Sequence, residues 1–508
     1  LFAVSFVAAL QAAPPRRVQQ QIADGVLEGT ISTDGQVRSF KGVPYAAPPV
    51  GALRWRPPQP VAPWAGIRDA TRFGPRPMQG RIFSDMVFHD PGPSEDCLYL
   101  NLWIPETAPA RKLPVMVWIF GGGFVAGSTS EARQDGSALC RHGVIVVSLN
   151  YRLGVFGFLA LPGLTKDSGH DASGNYGLMD QIAALRWVQR NIAAFGGDPD
   201  NVTIFGESAG AISVSALVAS PLARGLFQKA IGESGGYFRD LEPLHSLGEA
   251  EAVGTKFVQA AFNTTSLSAL RAVPARRLLD ASLKQPRPSF TREIDGYVLP
   301  EDTRAIFAAG TQAHVPLLAG WNRDEGNWRG YFGRRRPTLA NYTSIARKRF
   351  GTDADDFLRL YHATTDAEAR RAAADYQGDT FIAYRTWQWV DWQRRTGGAP
   401  VYRYEFDQTL PVTRPGAEAV APHASDIEYV FQMLSSRRLP WRPDDRRVSD
   451  LMATYWTNFA KTGNPNGPGL PEWPVYDDRL QVMHLQPRPF AAPDAHRDRY
   501  LWLDQMTR

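Results

Sequence analysis

Two cysteines among 508 residues, Cys97 and Cys140, exclude a disulfide framework, and neither belongs to a zinc-ligand spacing. Both read as small buried apolar residues. Beyond the first ten residues no run approaches the roughly 20 apolar residues that a membrane span needs, so no span is expected. Charge of one sign is also scarce: 56 basic residues face 51 acidic ones, leaving a net +5. The densest basic patch, Arg334-Arg335-Arg336 before Pro337, has no recognition motif around it, and nucleic acid is not an expected partner. A dinucleotide fingerprint and a phosphate loop are both missing, so no cofactor or metal is implied. No internal repeat or polar linker divides the chain, and nothing in it encodes an oligomeric state.

What is present suits a large buried core. The apolar fraction is 44%, and abundant glycine and proline suggest many loops around a regular scaffold. Leu1 to Leu10 is apolar, and Gln11-Ala12-Ala13-Pro14 and then Arg16-Arg17 follow. This resembles the hydrophobic part and small-residue cleavage region of a secretory signal. Residues 1–13 are therefore expected to be a signal remnant, and the protein to be secreted or periplasmic.

Val26 to Lys41 is rich in β-formers broken by glycine, as in a hairpin, and the proline-dense stretch from Pro44 to Pro63 should be irregular. Buried-strand candidates recur at Leu98–Leu102, Pro114–Phe120, Val144–Leu149, Val202–Phe205, Ala230–Glu233, Val315–Ala319 and Val401–Phe406. Helical patterns lie between several of them. Leu178, Ile182, Leu185, Val188 and Ile192 repeat at three- and four-residue steps, which places an apolar stripe on one helix. Apolar strands alternating with helices mean an α/β fold: a mostly parallel sheet covered on both faces. Residues 240–310 and 326–400 read as helix-rich insertions.

The most informative residues are Gly206-Glu207-Ser208-Ala209-Gly210, between the run Val202–Phe205 and a helix over 211–219. A serine between two glycines at a strand-to-helix turn has the form of a nucleophile elbow. A serine hydroxyl is a weak nucleophile, so this site requires a base and donors for an oxyanion. Gly121-Gly122-Gly123 follows another strand candidate and leaves backbone N–H groups unshielded, as an oxyanion loop requires.

Together these segments resemble the type-B carboxylesterases, the cholinesterase-like branch of the α/β-hydrolases. Phe195 to Gly210 is similar to that family's serine signature, and Glu95-Asp96-Cys97-Leu98-Tyr99-Leu100-Asn101 to its second signature. Asn150-Tyr151-Arg152-Leu153-Gly154 and Asn175 to Gln181 carry the same likeness, which runs from about Gly25 to the C-terminus. The resemblance implies a single α/β-hydrolase domain over 14–508, with helical insertions above the site. It implies a Ser-Glu-His triad. Gly320 to Gly326 is similar to the acid motif, which places the acid at Glu325 with Asp324 as its structural neighbour. Pro422 to Glu428 is similar to the histidine motif, which places the base at His423. Gly122, Gly123 and Ala209 would donate to the oxyanion. Glu207 and Ser234 read either as groups near the histidine or as ordinary hydrogen-bonded polar residues. Two structural ion pairs are also implied, Arg54 with Glu95 and Arg152 with Asp180.

The expected activity is hydrolysis of small to medium carboxylic esters through an acyl-enzyme, with a small-molecule ester as partner. The same machinery would serve amide, carbamate, lactone or polyester bonds. A non-catalytic cholinesterase-like binding module is the remaining alternative, which the presence of all three triad candidates disfavours. Pro77 stands where many relatives carry the disulfide partner of Cys97. The loop from Pro77 to Cys97 is thus expected to lose a staple and gain mobility. That loop offers only Phe83 and Phe88 and no tryptophan for a quaternary ammonium, so choline-ester specificity is not expected. Phe124 and Trp321 adjoin site motifs and are the aromatics expected to contact substrate. Trp328, Tyr331, Phe332, Trp387 and Trp389 lie in segments expected to face the site.

Overall fold

The structure, a computed structural model, describes residues 16–106, 111–238, 245–286, 290–414 and 416–507. The signal remnant expected at 1–13 lies outside the described residues. Twelve strands form one continuous path: β1 (Arg16–Ile22), β2 (Gly25–Ile31), β3 (Val37–Pro44), β4 (Tyr99–Pro105), β5 (Leu113–Ile119), β6 (Ile145–Leu149), β7 (Gly197–Glu207), β8 (Lys229–Glu233), β9 (Leu317–Asn322), β10 (Val401–Phe406), β11 (Gln481–Leu485) and β12 (Phe490–Pro493). Their spatial order is β1-β2-β3-β4-β6-β5-β7-β8-β9-β10-β11-β12, and a short strand, Ile67–Asp69, pairs with β2.

The sheet is mixed. From β6 to β11 every neighbouring pair is parallel, while β1 to β4, the β4–β6 pair and the β11–β12 pair are antiparallel. Every residue of β6, β8, β9 and β10 is buried. Successive strand side chains point to opposite faces, so both faces of this central region are covered. The helix expected from the Leu178 stripe forms as α1 (Tyr176–Asn191), and α2 (Ala209–Ala219) follows β7 directly. The insertion segments are helical, through Leu247–Phe262, Ala275–Ser282, Leu339–Phe350 and Asp366–Gly378 among others. None of the described helices is long and apolar enough to cross a membrane.

Parallel strands end on the same edge of a sheet. The loops that follow β5, β7, β8, β9 and β10 therefore gather at one edge, the usual location of sites in open α/β sheets. Those loops carry Gly122, Ser208, Ser234, Glu325 and His423.

Both cysteines are buried and free. The loop without a disulfide has another anchor. Asp90, whose side chain is fully buried, pairs with Arg76 at 2.5 Å and accepts the hydroxyls of Ser128 (2.9 Å) and Ser130 (2.5 Å) and the N–H of Gly92. Both implied ion pairs form. Arg54 meets Glu95 through two bonds of 2.6 Å, and Arg152 meets Asp180 through side-chain bonds of 2.8 and 2.7 Å.

Candidate active site

Ser208 occupies the tip of the β7–α2 turn with φ 54° and ψ −121°, a conformation that costs free energy for a residue with a side chain. The turn closes only because its neighbours are small. A Cβ added at Gly210 would overlap the carbonyl oxygen of Ile119 on β5. The Ser208 N–H donates to Glu233 O at 2.9 Å, and Ile212 N–H donates back to Ser208 O at 2.9 Å, which locks the turn between β8 and α2.

His423 Nε2 lies 2.9 Å from Ser208 Oγ, and His423 Nδ1 lies 2.6 Å from Glu325 Oε2. The other carboxylate oxygen, Glu325 Oε1, accepts Ser234 Oγ–H at 2.5 Å and the backbone N–H of Asn322 at 2.9 Å. Both carboxylate oxygens of Glu325 are therefore engaged, Oε1 by two donors and Oε2 by the imidazole. Asp324 has a different task. It accepts Arg323, Arg371 and the Ala421 N–H, and its own N–H donates to Ala421 O. These contacts bind the acid loop to the histidine loop. Burial opposes ionisation of Asp324, but the Arg323 hydrogen bond, the Ala421 N–H and Arg371 outweigh it and hold the carboxyl below its ordinary range.

Burial alone would depress the His423 imidazole. The carboxylates of Glu325 and Glu207 more than offset that and raise it to about 9. Glu207 Oε1 stands 3.3 Å from His423 Nε2, and burial pushes the Glu207 carboxyl up to about 8. Of the two residues left open by the sequence, Ser234 thus bonds the acid and Glu207 adjoins the base.

Beside Ser208, the Gly122 carbonyl accepts the N–H groups of Val125 and Ala126, and Gly122 itself has φ 101°. A side chain at that φ would overlap Ala126 O. Among the described residues no hydrogen bond uses the N–H of Gly122, Gly123 or Ala209. Ala209 opens α2, where an N–H has no partner within the helix.

This geometry agrees with the carboxylesterase family profile, which matches residues 16–501. The chain belongs to the carboxylesterase family. A fumonisin B1 esterase from Sphingopyxis macrogoltabida is 38% identical over 507 residues, covering 95% of this chain and 89% of the relative. An acetylcholinesterase from Bungarus fasciatus is 36% identical, covering 91% and 82% respectively. Among solved structures, a thermophilic PNB esterase superposes with a TM-score of 0.81 at 34% identity, over 96% of this chain and 99% of that one. A Geobacillus stearothermophilus carboxylesterase gives the same score and identity over 95% and 99%. This carboxylesterase is a carboxylic ester hydrolase of the serine type, with the α/β-hydrolase fold.

Two aromatic expectations need correction. Trp321 is buried in an aromatic cluster, where the Arg403 guanidinium lies 4.3 Å from its ring and Tyr500 meets it edge to face at 5.6 Å. Tyr331, Phe332 and Trp387 belong to the same cluster, and Trp389 is buried in the main core. Rings that bury one another gain more than rings left to line a wet cleft. Phe124 is enclosed by Phe158 at 5.3 Å, Tyr151 at 6.4 Å and the Arg292 guanidinium at 5.1 Å.

Sequence reasoning missed three residues. Asn322 Nδ2 donates to Pro422 O (2.8 Å) and Asp426 Oδ1 (3.2 Å), and so joins the acid and histidine segments. Asp426 is fully buried below His423, and burial followed by the Glu325 charge raises its carboxyl to about 6. Phe381, on a π-helical turn (Asp379–Ala383), is 45% exposed with its ring edge-on to His423 at 5.0 Å. Asn322 and Asp426 lie inside the quoted motifs and were within reach; no sequence signal marks Phe381.

Proposed function

We propose that Ser208, His423 and Glu325 are the nucleophile, base and acid of this esterase, and that the N–H groups of Gly122, Gly123 and Ala209 hold the oxyanion. The observation that carries this reading is the unbroken hydrogen-bond line from Glu325 through His423 to Ser208, beside three N–H groups with no other acceptor. His423 takes the Ser208 proton as Oγ attacks the ester carbonyl, and returns it to the leaving alcohol. Water then repeats the sequence on the acyl-enzyme. Glu325 fixes the tautomer with Nδ1 protonated and stabilises the imidazolium. Ser234 positions Glu325. Glu207, 3.3 Å from His423 Nε2, adds to the pull that Glu325 exerts on the imidazole proton. Phe124 follows Gly123 directly, and its enclosed ring supports the oxyanion loop from behind in this reading.

The substrates in this reading are small to medium carboxylic esters. The loop between Pro77 and Cys97 supplies no tryptophan for a choline headgroup, which argues against choline esters. The composition of residues 1–13 supports export, and the unbroken sheet path supports one domain over 14–508. Hydrolysis of p-nitrophenyl butyrate by the wild type, lost in Ser208→Ala, is the test. Activity retained in that variant removes Ser208 from its role. N-terminal sequencing of protein recovered from the periplasm or medium tests cleavage near Ala13.

A further inference from the structure

Residues 403, 405 and 407 project from one face of β10 and its extension, because alternate strand residues share a face. β11 lies parallel beside it, with His484 opposite Glu405 in register. A carboxylate oxygen of Glu405, one of Asp407 and a ring nitrogen of His484 lie within 4.8 Å of one another. We propose that these three side chains form a binding site for a divalent first-row transition cation of the Zn2+ class, separate from the ester-cleaving centre.

A second observation points the same way. Glu405 is only 8% exposed, yet among the described residues no hydrogen bond or ion pair engages its carboxylate. The nearest cation along the strand, Arg403, pairs with Asp494 instead. His484 gives its Nδ1 to Asp407 at 2.8 Å. Arg403 and His484 act on Glu405 only through their charge, and a largely buried carboxylate that no donor meets directly gains from a bound cation.

The donor set selects the ion. Two carboxylates and one imidazole suit Zn2+ and its first-row neighbours, whereas Ca2+ and Mg2+ prefer all-oxygen sites. Two features hold the donors in place. The β10–β11 ladder fixes Glu405 and His484, and Phe490 stacks on the His484 ring at 4.7 Å with an interplanar angle of 10°. Side-chain exposures of 20% for His484 and 14% for Asp407 leave a path for entry.

The test uses the full chain, treated with a chelator and then dialysed. Zn2+ is titrated by calorimetry near neutral pH, and thermal unfolding is followed in parallel. The expected result is saturable one-to-one binding with a rise in Tm, and no rise with Ca2+. Glu405→Gln and His484→Gln should each weaken Zn2+ at least about tenfold and remove the rise. Their p-nitrophenyl butyrate activity and metal-free Tm should match the wild type, showing that the variants are folded. If either unfolds, Asp407→Asn serves in its place with the same expected loss. Absence of saturable binding in the wild type, or wild-type affinity in a folded variant, overturns the proposal.

Discussion

Glu325→Gln is the substitution for which the structure gives the most definite outcome. Glutamine has the shape of glutamate, so the change is confined to charge and to where protons sit. The Oε1 position receives the backbone N–H of Asn322, a donor that cannot turn away. The amide oxygen must therefore stay there, and the amide NH2 faces His423 Nδ1. The imidazole then has to offer a lone pair at Nδ1, which moves its proton to Nε2, the atom 2.9 Å from Ser208 Oγ. In that tautomer it cannot accept the serine proton. Turning the amide over restores the tautomer but sets a buried N–H against the NH2, at a cost of about 1–3 kcal/mol. Loss of the carboxylate charge opposite the imidazolium removes roughly 1.5–3 kcal/mol more. Together these give about 3–6 kcal/mol, a fall of roughly 10²–10⁴ in kcat. Steady-state hydrolysis of p-nitrophenyl butyrate, with circular dichroism to establish folding, reads it directly. A folded variant within about tenfold of wild-type kcat would refute the reasoning.

Three further outcomes follow from the same geometry. Because His423 acts as a base only when neutral and its carboxylate neighbours raise it above the ordinary 6.5, kcat/KM should rise with pH and fall as pH is lowered through a limb centred above that value; a limb centred below it would contradict the charge balance. Gly122→Ala should lower the kcat of the folded protein about 10²–10³-fold by displacing the oxyanion loop; near-normal turnover would show that this loop does not serve the reaction. Arg152→Met leaves the fully buried Asp180 uncompensated and should cost about 3–5 kcal/mol in urea denaturation, with the folded fraction still active; a loss below about 1 kcal/mol would show that the pair is not a fold anchor.

Much of the fold can be read from local pattern. Val401–Phe406 is a strand at the bounds its β-rich apolar run suggests, and the Leu178 stripe marks α1 because three- and four-residue spacing has only one regular solution. β1 escapes that reading. Its sequence, Arg-Arg-Val-Gln-Gln-Gln-Ile, lies at the exposed sheet edge, where little burial imposes an apolar signature. The site is legible where chemistry is local, as in the Ser208 elbow. His423 and Glu325 were placed by family resemblance, since 98 residues separate them and only the sheet edge unites them. The anchoring of the Asp90 loop was hidden for the same reason: its partners, Arg76, Ser128 and Ser130, carry no shared sequence signal. Trp321 shows the limit of proximity arguments. It adjoins the acid motif in the chain, but strand alternation turns its ring toward Arg403.

The most direct measurement is stoichiometric labelling with an organophosphate, followed by intact mass and peptide mapping. One adduct per chain is expected, carried on Ser208, with esterase activity lost in proportion to its formation. An adduct on another residue, or complete inhibition with Ser208 unmodified, would contradict it.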